Sequence, residues 1–163
     1  MRKVLSTTLV CGLLITLCAC GTIDKTTTEG VEPGTVDGST YMKLELEIHS
    51  SASDSWEITE QLKKAIKSNV RFTADKEGNN GKILLIDVEV VHIDKPSSFA
   101  RFMMGAGAGS DQIVAVVKLM EKESTHTVGK MTIRSEQNRG MSSGVNAAVD
   151  GITKELLTRL SLW

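Results

Sequence analysis

The chain has 163 residues, 40% hydrophobic and 4% aromatic, with 19 Lys and Arg against 20 Asp and Glu. Its three cysteines, Cys11, Cys18 and Cys20, all fall within the first twenty positions. Beyond them a disulfide scaffold, a Cys-based zinc site and a cysteine nucleophile are excluded, and the near-neutral charge gives no reason to expect a nucleic-acid partner.

Met1-Arg2-Lys3 precedes an apolar run from Val4 to Leu17. A basic head and a short apolar core form the pattern of an export signal. The run is shorter than the about 20 residues of a membrane-spanning helix. It ends Leu17-Cys18-Ala19-Cys20-Gly21. This resembles a bacterial lipobox, with Cys18 departing from the small or β-branched residue usual at that place. The resemblance implies that residues 1–19 are a lipoprotein signal peptide and that Cys20 becomes the N-terminus, carrying diacylglyceryl and N-acyl chains. Gly21, where an Asp would retain the protein in the inner membrane, implies the outer membrane and a domain on its periplasmic face. One acyl chain binds a bilayer marginally, whereas several hold effectively permanently. Loss of Arg2 and Lys3 with the signal moves the net charge from −1 to −3.

Residues 20–40 follow the lipidated Cys with Thr, Gly, Glu and Asp and no apolar period. Such a stretch is expected to be a flexible tether with a reach of about 25 Å. The alternative for part of it is an edge strand.

Residues 41–163 are expected to be a single domain. Tyr41 to His49 alternates, with Met42, Leu44, Leu46 and Ile48 on one side and Lys43, Glu45 and Glu47 on the other, the period of a strand. Asp54 and Glu57 have the spacing of a capping box, and Ile58, Leu62, Ala65, Ile66 and Val70 then recur at helical spacing. The run from Asp75 to Gly81 is a turn-rich break. Lys82–Asp94 and Gln112–Glu121 are β-branched runs fit for central strands. A break at Lys122-Glu123-Ser124 suits a hairpin into a weaker strand over Thr125–Glu136. Val145, Ala148, Val149, Ile152, Leu156 and Leu160 form one face of a closing helix. The order β-α-β-β-β-α predicts an α/β (α+β) two-layer sandwich. Its mixed four-stranded sheet has the first two strands parallel and both helices on one face. On the other face Leu85, Val91, Val114, Val116 and Val128 are candidates to lie beside Lys43, Glu45, Asp87 and Lys130, a patch that would call for a partner or a covering loop.

Between the second and third of these strands lies a segment from Pro96 to Ser110 with Gly105, Gly107 and Gly109. It is long for a hairpin, and long loops tend to be functional or disordered. A phosphate loop leads from a strand into a helix and ends Gly-Lys-Ser/Thr; this one leads into a strand and lacks that ending. Phe99, Phe102, Met103 and Met104 are expected to pack on the sheet or on another chain, with Arg101 among them as an interfacial donor.

The strand ending Val-Glu-Val-Val-His-Ile-Asp (88–94), followed by Arg101, the three alternate glycines and an aliphatic strand, resembles a family of Gram-negative lipoproteins. Their shared domain, number four-four-one-zero, is of unknown function. The likeness covers residues 40 to 160. It departs at Lys122-Glu123-Ser124, where an acidic residue and a Gly are usual. The layout is also similar to domains of curli-secretion-type and penicillin-binding-protein-activator lipoproteins, which act by assembly and binding, a likeness of fold alone.

Gly140-Met141-Ser142-Ser143-Gly144 matches G-x-S-x-G, but no His follows Ser142 and no strand runs straight into it. Ser142 or Ser143 reads better as a helix cap. His49 and His92 fall at the same end of neighbouring strands and His126 at the other, which conflicts with a three-His metal site. No carboxylate pair stands out as an acid/base couple. The expectation is a non-catalytic envelope protein without cofactor or metal, held to the membrane through Cys20. It would bind an envelope protein or itself through Arg101, Phe102, Gly105, Gly107, Gly109 and the open sheet face. The alternative is a small-ligand or glycan-binding module using the same loop.

Overall fold

The structure is a computed structural model and describes residues 23–31, 35–53, 55–70, 81–97, 103–104, 109–138 and 144–161. In chain order its elements are β1 (Ile23–Gly30), a 3-10 turn (Gly38–Thr40), β2 (Lys43–Ser50), α1 (Trp56–Asn69), β3 (Ile83–Asp94), β4 (Asp111–Glu121), β5 (His126–Asn138) and α2 (Val145–Arg159). The strands form one mixed sheet in the order β1-β5-β4-β3-β2. β2 runs parallel to β3, as a helical crossover through α1 requires. β3, β4 and β5 are an antiparallel meander. The α+β class and the two helices are as expected.

The strand count is not. The sheet has five strands, and the additional one, β1, pairs antiparallel with β5 from Ile23↔Asn138 to Gly30↔Met131. It takes residues 23–30 out of the segment expected to be a tether. Its side facing α2 carries Thr26 and Thr28, so it shows no apolar alternation. Thr26 Oγ1 lies 3.1 Å from Ser135 Oγ, and the Thr28 hydroxyl donates to Glu155 Oε1 at 2.9 Å. Arg159 donates through Nε to the same Glu155 oxygen at 2.8 Å and through Nη1 to the Val31 carbonyl at 2.9 Å. Farther along, Val36 is buried, and the Gly38 N–H donates to the Leu160 carbonyl at 3.0 Å.

The core lies between the sheet and the helices. α1 buries Ile58, Leu62 and Ile66 completely, one residue per turn. The chain then leaves the helix at Val70, which is extended and buried. Asp54 lies outside the described residues; the N-cap is Ser55, with no side-chain capping bond. The predicted face of α2 is buried throughout, from Val145 to Leu160 just past its end. Into the same core β3 sets Leu84, Ile86, Val88 and Val90, β4 sets Ile113, Ala115, Val117 and Leu119, and β5 sets Met131 and Ile133. Each fully buried Leu or Ile contributes roughly 1.5–3 kcal/mol. α2 rides close on the sheet at Gly151, where a Cβ would stand 2.6 Å from both Ser135 Oγ and Thr26 Oγ1.

Candidate interaction surface

Strand alternation sends every second side chain away from the helices. Register then sets these residues in rows across the sheet. Glu45, Leu85, Met120 and Thr127 form one row. Glu47, Asp87, Lys118 and Lys130 form the next, and His49, Glu89, Val116, Thr132 and Glu29 the third. Past a bulge between Val90 and His92, the fourth row is His92, Val114, Arg134 and Thr27. No described helix packs on this face. Leu85, Val116 and Met120 are half-buried there and Val114 is buried. An apolar strip along β3 and β4 is thus crossed by charged rows. Of the residues expected here, Lys43, Glu45, Leu85, Asp87, Val114, Val116 and Lys130 share the face. Val128 does not. It sits at a second bulge, between Leu119 and Met120, and packs against the core. Val91 falls at the first bulge.

At the end where β2 and β3 begin, charges are paired. Lys43 Nζ lies 2.9 Å from Glu45 Oε1, Lys122 binds the other Glu45 oxygen, and Lys82 Nζ lies 2.7 Å from Glu121 Oε1. The hydrogen bond from Lys122, then that from Lys43, hold the Glu45 carboxyl below the usual glutamate range. Lys82 does the same to Glu121, and Lys82 and Lys122 are raised in return. Burial, then the Glu121 charge, push the Tyr41 phenol up.

His49 Nδ1 lies 3.2 Å from Asp87 Oδ1, an ion pair only when the imidazole is protonated, and without the geometry of a hydrogen bond. His126 opens β5 in register with Glu121, at the opposite end from His49 and His92. Among the described residues no three His, Cys, Asp or Glu side chains gather as a metal site, and no helix is long and apolar enough to cross a membrane.

Four of the five loop residues expected to make contact, Arg101, Phe102, Gly105 and Gly107, lie outside the described residues, as do Cys20, Phe99, Ser142 and Ser143. Gly109 is described and takes φ +93°, with Pro96 Cγ 3.5 Å from where a Cβ would stand. A left-handed residue here turns the chain into β4, which a glycine does without steric cost. Met103 and Met104 were expected to pack on the sheet or another chain; they are 63% and 64% exposed. Sequence reasoning missed Asp111. It is buried, and its Oδ2 accepts the Gly144 N–H at the start of α2. A carboxylate from a neighbouring strand therefore meets the positive end of the helix dipole. An acid opening a strand was the only trace of it in the sequence.

The model described as Domain of unknown function (DUF4410) matches residues 27–139, more than two thirds of the chain. The chain belongs to this family. The DUF4410 match begins inside β1 and ends just past β5, so it takes in half of β1 and all of β2 to β5, and leaves α2 outside. No curated protein matches. Among solved structures the DUF4410 chain is similar to the PelC dodecamer from Paraburkholderia phytofirmans. Identity is 9% and the TM-score 0.54, covering 85% of this chain and 99% of that one. A point variant of the same dodecamer is similar at 10% identity and TM-score 0.53, with 83% and 97% covered. At such identity the likeness is one of fold.

Proposed function

We propose that this DUF4410 protein is a lipid-anchored envelope protein, held through acylated Cys20 at the periplasmic face of the outer membrane. Its domain acts by assembling with further copies of itself, without chemistry of its own. The observation that carries this reading is the strip of Leu85, Val114, Val116 and Met120 across a sheet face with no described helix over it. A partner of the same chain would complete its burial. Rows of both charge signs flank the strip, which suits a contact that must be specific in orientation. The similar structures add support, because both are dodecamers and nearly all of each of those chains is matched.

Sedimentation of the acylated full chain in mild detergent tests the assembly. A species of several copies is expected, and Val116→Glu should weaken it about tenfold or more by placing an unpaired charge in the contact. A monomer at all concentrations overturns the reading. The anchor has its own test: palmitate label is expected on the wild type and should vanish in Cys20→Ser.

A further inference from the structure

One end of the sheet gathers features that lie far apart in the chain. β2, β3 and β5 end there, and β1 and β4 begin there, with Ile23 opposite Asn138 and Asp111 opposite Gln137. Both helices start at this end, α1 directly after β2, and α2 at Gly144, which Asp111 holds. The loop from β3 to β4 leaves and re-enters the sheet there. Four large apolar side chains are exposed among the described residues: Trp56 at 76%, Met104 at 64%, Met103 at 63% and Met42 at 40%. The three most exposed attach at this end: Trp56 opens α1, and the two methionines belong to the chain segment that leaves and re-enters the sheet here. Met42 precedes β2 at the other end, among the paired charges of Lys43, Glu45, Lys82 and Glu121.

The chain outside the structure also meets the domain at this end. β1 opens at Ile23, three residues after Cys20. Three residues span about 10 Å at full extension. A free tether of twenty residues would let the domain swing about 25 Å from its anchor in any orientation. Because residues 23–30 are taken into the sheet, the leash is short, and the end nearest Cys20 must face whatever Cys20 is fixed in.

We propose that this end of the sheet is a membrane-docking surface, with Trp56, Met103 and Met104 entering the interfacial layer of the bilayer that holds Cys20. The inference rests on the lipid-anchor reading. Trp is enriched at the membrane–water boundary, where its amphipathic ring is at home. Methionine adds an apolar, flexible side chain that adapts to a fluid surface. The paired charges at the opposite end then face away from the bilayer, in water.

The test uses the acylated full chain in vesicles of phosphatidylethanolamine and phosphatidylglycerol with brominated acyl chains. Trp163→Phe leaves Trp56 as the sole tryptophan, excited at a wavelength that Tyr41 does not absorb. A second variant, Trp56→Phe/Trp163→Phe/Met42→Trp, reports from the opposite end. The lipid bromines should quench Trp56 about twofold or more beyond the Met42→Trp reporter, with a blue-shifted emission. Equal quenching at the two ends overturns the proposal. So does a Trp56 emission shielded from iodide but untouched by bromine, which would mean that protein covers it. Flotation is read in the same samples. Protein that floats without Trp56 quenching sinks the docking surface alone; protein that fails to float and takes up no palmitate sinks the anchor and the docking surface together.

Discussion

At one edge of the sheet, β2 turns Leu44, Leu46 and Ile48 toward the helix layer; at the other, β1 turns Thr26 and Thr28 toward α2. Both edges are closed by a helix and both strands are eight residues long. The difference is what holds them. β2 is held by apolar burial, with Leu44 only 5% exposed, and on its outer face by ion pairs. β1 is held by its backbone ladder to β5 and by hydroxyl contacts with Ser135 and Glu155. A strand can thus be tied into a sheet with almost no apolar signature, provided that its partner strand and helix already exist and offer polar groups at the right height. Hydroxyl hydrogen bonds net about 1 kcal/mol each, less than a buried leucine.

The largest expected effect falls on the apolar edge. Leu44→Ala should cost about 2–4 kcal/mol through lost transfer energy and a cavity, read as a drop in the denaturant midpoint. A cost no greater than that of a surface substitution would show that β2 is not held by burial. Gly151→Ala addresses the polar edge. In an exposed helix this change gains about 1 kcal/mol from propensity. Here the new methyl meets two oxygens at 2.6 Å, and relieving such overpacking costs about 1–3 kcal/mol. The net effect should be a destabilisation of about 1 kcal/mol. Hydrogen exchange should show β1 amides losing protection while β3 and β4 keep theirs. Uniform loss, or a gain in stability, would mean that α2 does not clamp β1 at this point.

The smallest effect belongs to the exposed ion pairs around β2. The folded values of Glu45 and Glu121 lie below the ordinary 4.5. Their contribution is therefore complete above that value and is lost as pH falls through the depressed values. The lysines Lys82 and Lys122 lie above the ordinary 10.5, so their share is complete below it and is lost as pH rises through the raised values. Exposed pairs are weak and screened by salt. A Lys82→Ala/Lys122→Ala variant should barely move the thermal midpoint at neutral pH and should flatten its decline in acid. A neutral-pH loss comparable to that of Leu44→Ala would reverse the comparison and make charge the main restraint on β2.

The glycine-rich loop shows how differently the site and the fold could be read. The alternate glycines drew attention to the segment, and Gly109 does mark the left-handed turn into β4. The side chains beside them told less: Met103 and Met104 are exposed on the domain's own surface, and nothing in a run of apolar residues says whether the sheet or something outside the chain will cover them. Val114 and Val128 make the same point within strands. Val114 stands in a nearly continuous apolar run that does not say which side faces inward, and it lies on the open face; Val128 is carried to the core by the bulge after Leu119.

By itself the sequence determined the α+β class, the parallel β2–β3 pair, the antiparallel meander and the buried face of α2. Those elements announce themselves through the spacing of Leu44, Ile58, Ile86, Val117 and Ile152, because apolar burial is local in pattern and dominant in energy. Only the tertiary structure decided the fifth strand, the Asp111 brace on α2 and the end of the sheet that gathers Trp56 with Met103 and Met104. Each depends on groups more than thirty residues apart meeting through hydrogen bonds or strand order, and neither leaves a period in the chain.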